Sequence, residues 1–214
     1  MFLEAALRDL EHKDARVRAQ AADALGRVEG DERAPAVAAL TRAVDDAHAS
    51  VRYAALLSLG ELGAGEAVDA LVAHLGDEQA LCREAAAIAL GQLGAAGGAR
   101  AWDALEGALV ADEPEVRFQA IASLAEIDAV RAAPRLAALL DDGDGKVRAQ
   151  AAAALGDAGE RSYADRLARL LDDADAVRHE AALALGRLGD RRAVPSLTAA
   201  LGVPDRALDA ATTL

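Results

Sequence analysis

A thirteen-residue segment recurs six times along this 214-residue chain, and that repetition limits the possible folds more than any other feature. The copies are VRAQAADALGRVE from Val17, VRYAALLSLGELG from Val51, CREAAAIALGQLG from Cys82, VRFQAIASLAEID from Val116, VRAQAAAALGDAG from Val147 and VRHEAALALGRLG from Val177. Their starts are 34, 31, 34, 31 and 30 residues apart. With the first residue as position zero, position four is always alanine: Ala21, Ala55, Ala86, Ala120, Ala151 and Ala181. Position eight is always leucine: Leu25, Leu59, Leu90, Leu124, Leu155 and Leu185. Position seven is alanine or serine. Positions 0, 4, 7, 8 and 11 share one helical face, so each segment reads as an amphipathic helix. Burying the leucine is worth roughly 1.5–3 kcal/mol. A larger residue at the alanine positions overpacks, at about 1–3 kcal/mol. Position nine is glycine in five copies and Ala125 in the fourth, which allows neighbouring helices to cross closely.

Between these segments lie shorter helical stretches, such as APAVAALTRAV from Ala34, EAVDALVAHL from Glu66 and AVPSLTAAL from Ala193. Pro35, Pro134 and Pro195 each follow position nine by nine residues, which places them in a first helical turn where a missing N–H costs little. Trp102 occupies the slot of Val37, Leu71, Leu136, Leu167 and Leu197, so it reads as core. An acidic turn joins the two helices of each copy. Asp46, Asp77, Asp142 and Asp172 each stand six residues before the position-one arginines Arg52, Arg83, Arg148 and Arg178. His12 and Ala111 break the pattern in copies one and four. Aspartate there also suits helix capping.

Composition agrees with a helical array. The chain is 53% hydrophobic but only 2% aromatic, so its apolar content is the Ala, Leu and Val that helices tolerate best. The net charge of −13 opposes nucleic-acid binding and attraction to anionic membranes. No run of about 18 apolar residues could cross a bilayer. The start of the chain has no apolar leader core, and the single Cys82 permits no internal disulfide. These features predict a soluble, cytoplasmic protein.

The VRxxAAxALGxLG helix with its acidic turn resembles the HEAT repeat, in particular the short type found in phycobilisome (bilin) lyase subunits. The resemblance covers residues 1–201 and implies an all-α, armadillo/HEAT-like α-solenoid. It implies second helices lining a concave side, and a ladder in which turn aspartates bond position-one arginines of successive repeats. The expected organisation is a single domain over 1–214, with repeats at 1–29, 33–63, 66–94, 98–128, 131–159 and 160–189 and a cap at 191–214. Asp209, Thr212 and Thr213 make the last helix polar, as a solvent-facing cap requires.

His179 and Glu180 are similar to one metal-binding motif of deoxyhypusine hydroxylase, a HEAT-like enzyme. The equivalent pairs here are Ala19-Gln20, Tyr53-Ala54, Glu84-Ala85, Phe118-Gln119 and Ala149-Gln150, so one His and one Glu cannot complete a metal shell. DDGDG at 141–145 lacks the ligand order of a calcium loop. His12, His48 and His74 are scattered, and Cys82 stands where other copies carry valine. No catalytic residue, metal or cofactor is expected. An α-solenoid acts through the side chains that its repeat leaves free. Positions two and six share a stripe, giving Tyr53, Leu57, Glu84, Ile88, Phe118, Ala122, His179 and Leu183 as candidate binding residues. Tyr53, Leu57, Ile88 and Phe118 form its apolar part, rimmed by Glu61, Glu84, Gln92, Gln119 and Glu126. The expected function is a non-enzymatic scaffold that binds a protein or peptide of basic character. The alternative is a bilin lyase-like subunit acting with a partner protein. A nucleic-acid-processing solenoid would need a basic concave face, which this charge opposes. The oligomeric state is open.

Overall fold

The computed structural model describes residues 2–213; Met1 and Leu214, the two ends of the array as read from the sequence, lie outside the described residues. The described residues contain helices and turns and no strand. They fall into two compact units, 1–123 and 124–214. The first unit holds α1 (Phe2–Asp9), α2 (Ala15–Leu25), α3 (Arg33–Ala43), α4 (Ala49–Glu61), α5 (Val68–Ala73), α6 (Ala80–Leu93), α7 (Gly98–Ala108) and the start of α8 (Pro114–Leu136). The second holds the rest of α8, then α9 (Gly145–Ala158), α10 (Ala164–Arg169), α11 (Asp175–Arg187), α12 (Val194–Ala200) and α13 (Ala207–Thr213). Each unit is a stretch of α-solenoid. In the first, α2 packs on α4 and α4 on α6; in the second, α9 packs on α11.

The six position-eight leucines are all fully buried. So are Leu71, Leu136 and Leu167 of the shorter helices, with Val37, Leu197 and Trp102 nearly so. Trp102 is therefore core, as its slot predicts. Cys82 is buried, its Sγ 3.4 Å from the Ala49 carbonyl, and burial pushes its thiol pKa up. That keeps the sulfur protonated and inert.

Glycine at position nine and the small residue at position seven turn out to be two halves of one contact. A Cβ placed on Gly26 would lie 2.6 Å from Ser58 Oγ; on Gly60 or Gly156 it would lie 2.7 Å from the Cα of Ala89 or Ala184. At Gly91 it would strike Ser123. Each glycine thus receives the position-seven residue of the next repeat, and Gly186 receives Thr213 of α13 in the same way. The buried hydroxyls are satisfied across this contact: Ser58 Oγ donates to the Ala22 carbonyl at 3.0 Å and Ser123 Oγ to that of Ala87 at 3.1 Å. On α13, Ala210 is fully buried while Asp209 and Thr212 are exposed. Thr213 departs from the expectation for a solvent-facing cap, because it is half-buried against Gly186.

The fourth copy differs locally. The backbone of α8 leaves the helical region at Asp128 (φ −164°, ψ 92°), and the Asp128 side chain accepts from Arg131 N at 3.0 Å, starting a new helix. Other copies make a 3-10 turn before their short helix, as at Gly30–Glu32 and Arg191–Ala193. Here that turn is wound into the helix. Pro134 therefore sits inside the helical run, whereas Pro35 and Pro195 occupy first turns as expected.

Candidate interaction surface

The arginine ladder fixes the register of the second helices, and with it the surface they present. Each rung has two parts. In five copies Nη1 of the position-one arginine donates to a carbonyl oxygen six residues earlier: Arg18 to His12, Arg52 to Asp46, Arg83 to Asp77, Arg117 to Ala111 and Arg148 to Asp142, at 2.6–3.0 Å. A backbone acceptor is indifferent to residue type, so His12 and Ala111 serve as well as aspartate. In Arg18, Arg52 and Arg148 the remaining nitrogens Nε and Nη2 reach a carboxylate in the next repeat's turn. Arg18 forks onto Asp46 at 2.7 and 2.8 Å, and Arg52 onto Asp77 and Arg148 onto Asp173 at 2.8 Å each.

Two details correct the sequence reading. The rung partner in copy six is Asp173, one residue beyond the expected Asp172, because it is Asp173 that presents both oxygens to Arg148. In copy four the partner is Glu113. It takes Nη2 of Arg83 at 2.6 Å, and Arg83 Nε is left buried without an acceptor among the described residues. The carboxylates also shape their own turns: Asp46 accepts from His48 N, Asp77 from Gln79 N and Asp142 from Asp144 N, each at 2.8 Å. The Arg18 fork holds the Asp46 carboxyl below its ordinary pKa, and Arg148 does the same for Asp173. Burial opposes ionisation of Asp77, but the Arg52 fork and the Gln79 amide outweigh it, and its pKa is also lowered.

Held in this register, α4, α6 and the first turns of α8 bring six of the eight candidate residues together in the first unit. Tyr53, Glu84 and Phe118 lie at position two; Leu57, Ile88 and Ala122 lie one turn further along. Tyr53 is 38% exposed, and the other five are half-buried. Beside them Glu61 and Gln92 are exposed. Glu61 and Glu84 have no ion-pair partner among the described residues. Asp23, at the same register of α2, is neutralised by Arg27 at 2.8 Å. The stripe is therefore an apolar strip carrying two unpaired carboxylates.

In the second unit the outcome differs. His179 is half-buried, but Leu183 is only 5% exposed and offers no surface. Arg187, one turn beyond it, stretches across to α9, where it bonds the Ala153 carbonyl at 3.3 Å and Asp157 at 2.9 Å. One cluster here has no signal in the repeat pattern: Asp175 grips both Arg178 and Arg206, at 2.9 and 2.7 Å.

Several of the other polar candidates have structural partners. No group of three or more His, Cys, Asp or Glu side chains lies close enough to hold a metal among the described residues. His74 is buried, with Nδ1 2.8 Å from the Ala70 carbonyl and Nε2 3.6 Å from Asp45. In the DDGDG turn Asp144 caps α9 and Asp141 pairs with Arg166 at 2.7 Å. No helix among the described residues is long and apolar enough to cross a membrane.

Comparison with known proteins agrees with this architecture. The family model for HEAT repeats matches residues 37–125, 83–146 and 132–214. No curated protein matches the chain. Among solved structures, the complex of CpcE and CpcF of phycocyanin lyase from Nostoc sp. PCC7120 is similar over 100% of this chain and 93% of that one, with a TM-score of 0.63 and 25% identity. A designed armadillo repeat protein in complex with the peptide (KR)4 covers 88% of this chain and 100% of its own, with a TM-score of 0.60 and 19% identity. The karyopherin Kap121p, bound to the extreme C-terminus of the phosphatase Cdc14p, matches 96% of this chain with 26% of its own, with a TM-score of 0.72 and 15% identity.

Proposed function

The chain belongs to the HEAT-repeat family, and on that premise we propose that it is a non-enzymatic scaffold that binds a protein or peptide segment on the concave face of its second helices. The observation that carries this reading is the strip of Tyr53, Leu57, Ile88 and Phe118, with Tyr53 38% exposed beside the unpaired Glu61 and Glu84. An apolar centre with a polar rim is the anatomy of an interaction site. Buried aromatic anchors supply affinity there. Unpaired carboxylates on a chain of net charge −13 favour a ligand that alternates apolar and basic side chains. The fold is compatible with such a role, since the designed armadillo protein carries (KR)4, although that likeness is one of fold alone.

Fluorescence anisotropy with a labelled peptide alternating Leu and Arg tests the reading. Saturable binding by the wild type, with about a tenfold loss in Tyr53→Ala, is expected. Equal affinity in the two proteins excludes the strip.

The likeness to the CpcE–CpcF complex favours a second reading, a lyase-type subunit that handles a bilin together with a partner chain. Absorbance after incubation with a bilin separates the two. A shifted pigment band supports the second reading, and an unchanged spectrum supports the scaffold.

A further inference from the structure

The ladder has an open end. Rungs from Arg18, Arg52 and Arg148 close when Nε and Nη2 grip a carboxylate in the following turn. Arg178 is the position-one arginine of the last copy, and its rung does not close. Its one bond runs from Nη2 to Asp175, three residues before it, at 2.9 Å. Its Nε and Nη1 meet no acceptor among the described residues. The following turn, 201–206, offers Asp205, which makes no ion pair among the described residues. That turn instead delivers a second guanidinium: Arg206 Nη1 lies 2.7 Å from the other oxygen of Asp175.

One carboxylate thus holds two guanidinium groups together and leaves N–H donors of both unused. The two side chains remain 41% and 28% exposed. They border a cleft of about 360 Å³ whose wall also carries His179, Pro195, Ser196 and Val203. The imidazole and the hydroxyl add polar groups, while Pro195 and Val203 supply an apolar floor. In the lining of this cleft the two arginines outnumber the one carboxylate, Asp175. Arginine forks bind carboxylates bidentately, as Arg18, Arg52 and Arg148 do in this chain.

We propose that this cleft binds an acidic turn of a partner protein, one of whose carboxylates closes the last rung on Arg178 and Arg206. The chemistry sought is that of the chain's own turns, such as Leu171–Ala176, where Asp173 takes Arg148. The inference does not rest on the apolar strip and survives or fails independently of it.

The test uses a labelled, blocked hexapeptide LDDADA and its amide analogue LNNANA, titrated into the full chain at about 0.1 M salt, where distant charges are screened. Saturable binding of LDDADA is expected, with LNNANA about tenfold weaker, and Arg206→Gln and Arg178→Gln each weakening LDDADA about fivefold or more. Arg206 lies in a turn, so its variant carries the test even if Arg178→Gln perturbs the fold, which circular dichroism will show. Arg100→Gln, an equal change of charge in the first unit, should leave binding unchanged. The proposal is overturned if LDDADA does not bind at about 1 mM, if the two peptides bind alike, or if Arg206→Gln matches the wild type. An equal loss in Arg100→Gln overturns it as well. Displacement of the peptide by an equimolar amount of succinate would mark a site for free carboxylates and overturn the assignment to a protein partner.

Discussion

Arg52 and Asp77 form the most enclosed rung of the ladder: two parallel bonds of 2.8 Å join them, and their side chains are only 8% and 4% exposed. The carboxylate comes from the following repeat, so the pair ties two layers together. Asp77→Ala would leave the guanidinium without its fork and the Gln79 amide without its acceptor. We expect a loss of about 2–3 kcal/mol in urea unfolding. Asp69→Ala, which breaks an exposed pair with Arg100, should cost less than about 1 kcal/mol. Equal losses would remove the distinction drawn between enclosed and exposed pairs.

Acid should weaken the ladder. Asp46, Asp77 and Asp173 have carboxyls below the ordinary value in the folded chain, so the unfolded state takes up protons first as the pH falls. Their contribution is complete above the unfolded value of about 4 and is lost as the pH drops through the folded values. Melting temperature should therefore fall between about pH 5 and pH 3, and Asp77→Asn should fall less steeply than the wild type. Parallel curves would show that Asp77 carries none of the acid sensitivity.

Two glycines should respond in opposite directions to the same change. Gly60→Ala places a methyl 2.7 Å from the Ala89 Cα, where only a shift of backbone could make room, and should cost about 1–3 kcal/mol. Gly107 lies inside α7 with nothing near its Cβ position, so Gly107→Ala should stabilise by about 0.5–1 kcal/mol. Thermal melts of the two variants read this directly. A neutral Gly60→Ala would contradict the interlocking of positions nine and seven.

These contacts show what the sequence made legible and what it hid. The invariant Leu and Ala positions announced a repeat, and periodicity alone placed Leu59, Ala55 and Trp102 in the core. The glycine at position nine signalled close crossing, but its partner at position seven became visible only when successive helices were stacked. Residue spacing misassigned Asp172 for Asp173 because it counts positions only, whereas the rung is set by which carboxylate presents both oxygens to Arg148. Leu57 and Leu183 share one register, yet only Leu57 reaches solvent. That difference lies in the packing around each leucine, which the register alone does not encode.

Truncating the strip should leave the fold intact. Tyr53 is 38% exposed and Phe118 half-buried, so the double variant Tyr53→Ala/Phe118→Ala should retain wild-type helicity and lose no more than about 2 kcal/mol. A loss of about 5 kcal/mol or more would make both residues core.

The most direct measurement is the amount of partner retained by this double variant relative to the wild type, in affinity capture with both proteins folded. The scaffold reading predicts a fall to about a tenth or less, as expected when the aromatic anchors of an interface are removed. Retention equal to the wild type would contradict it.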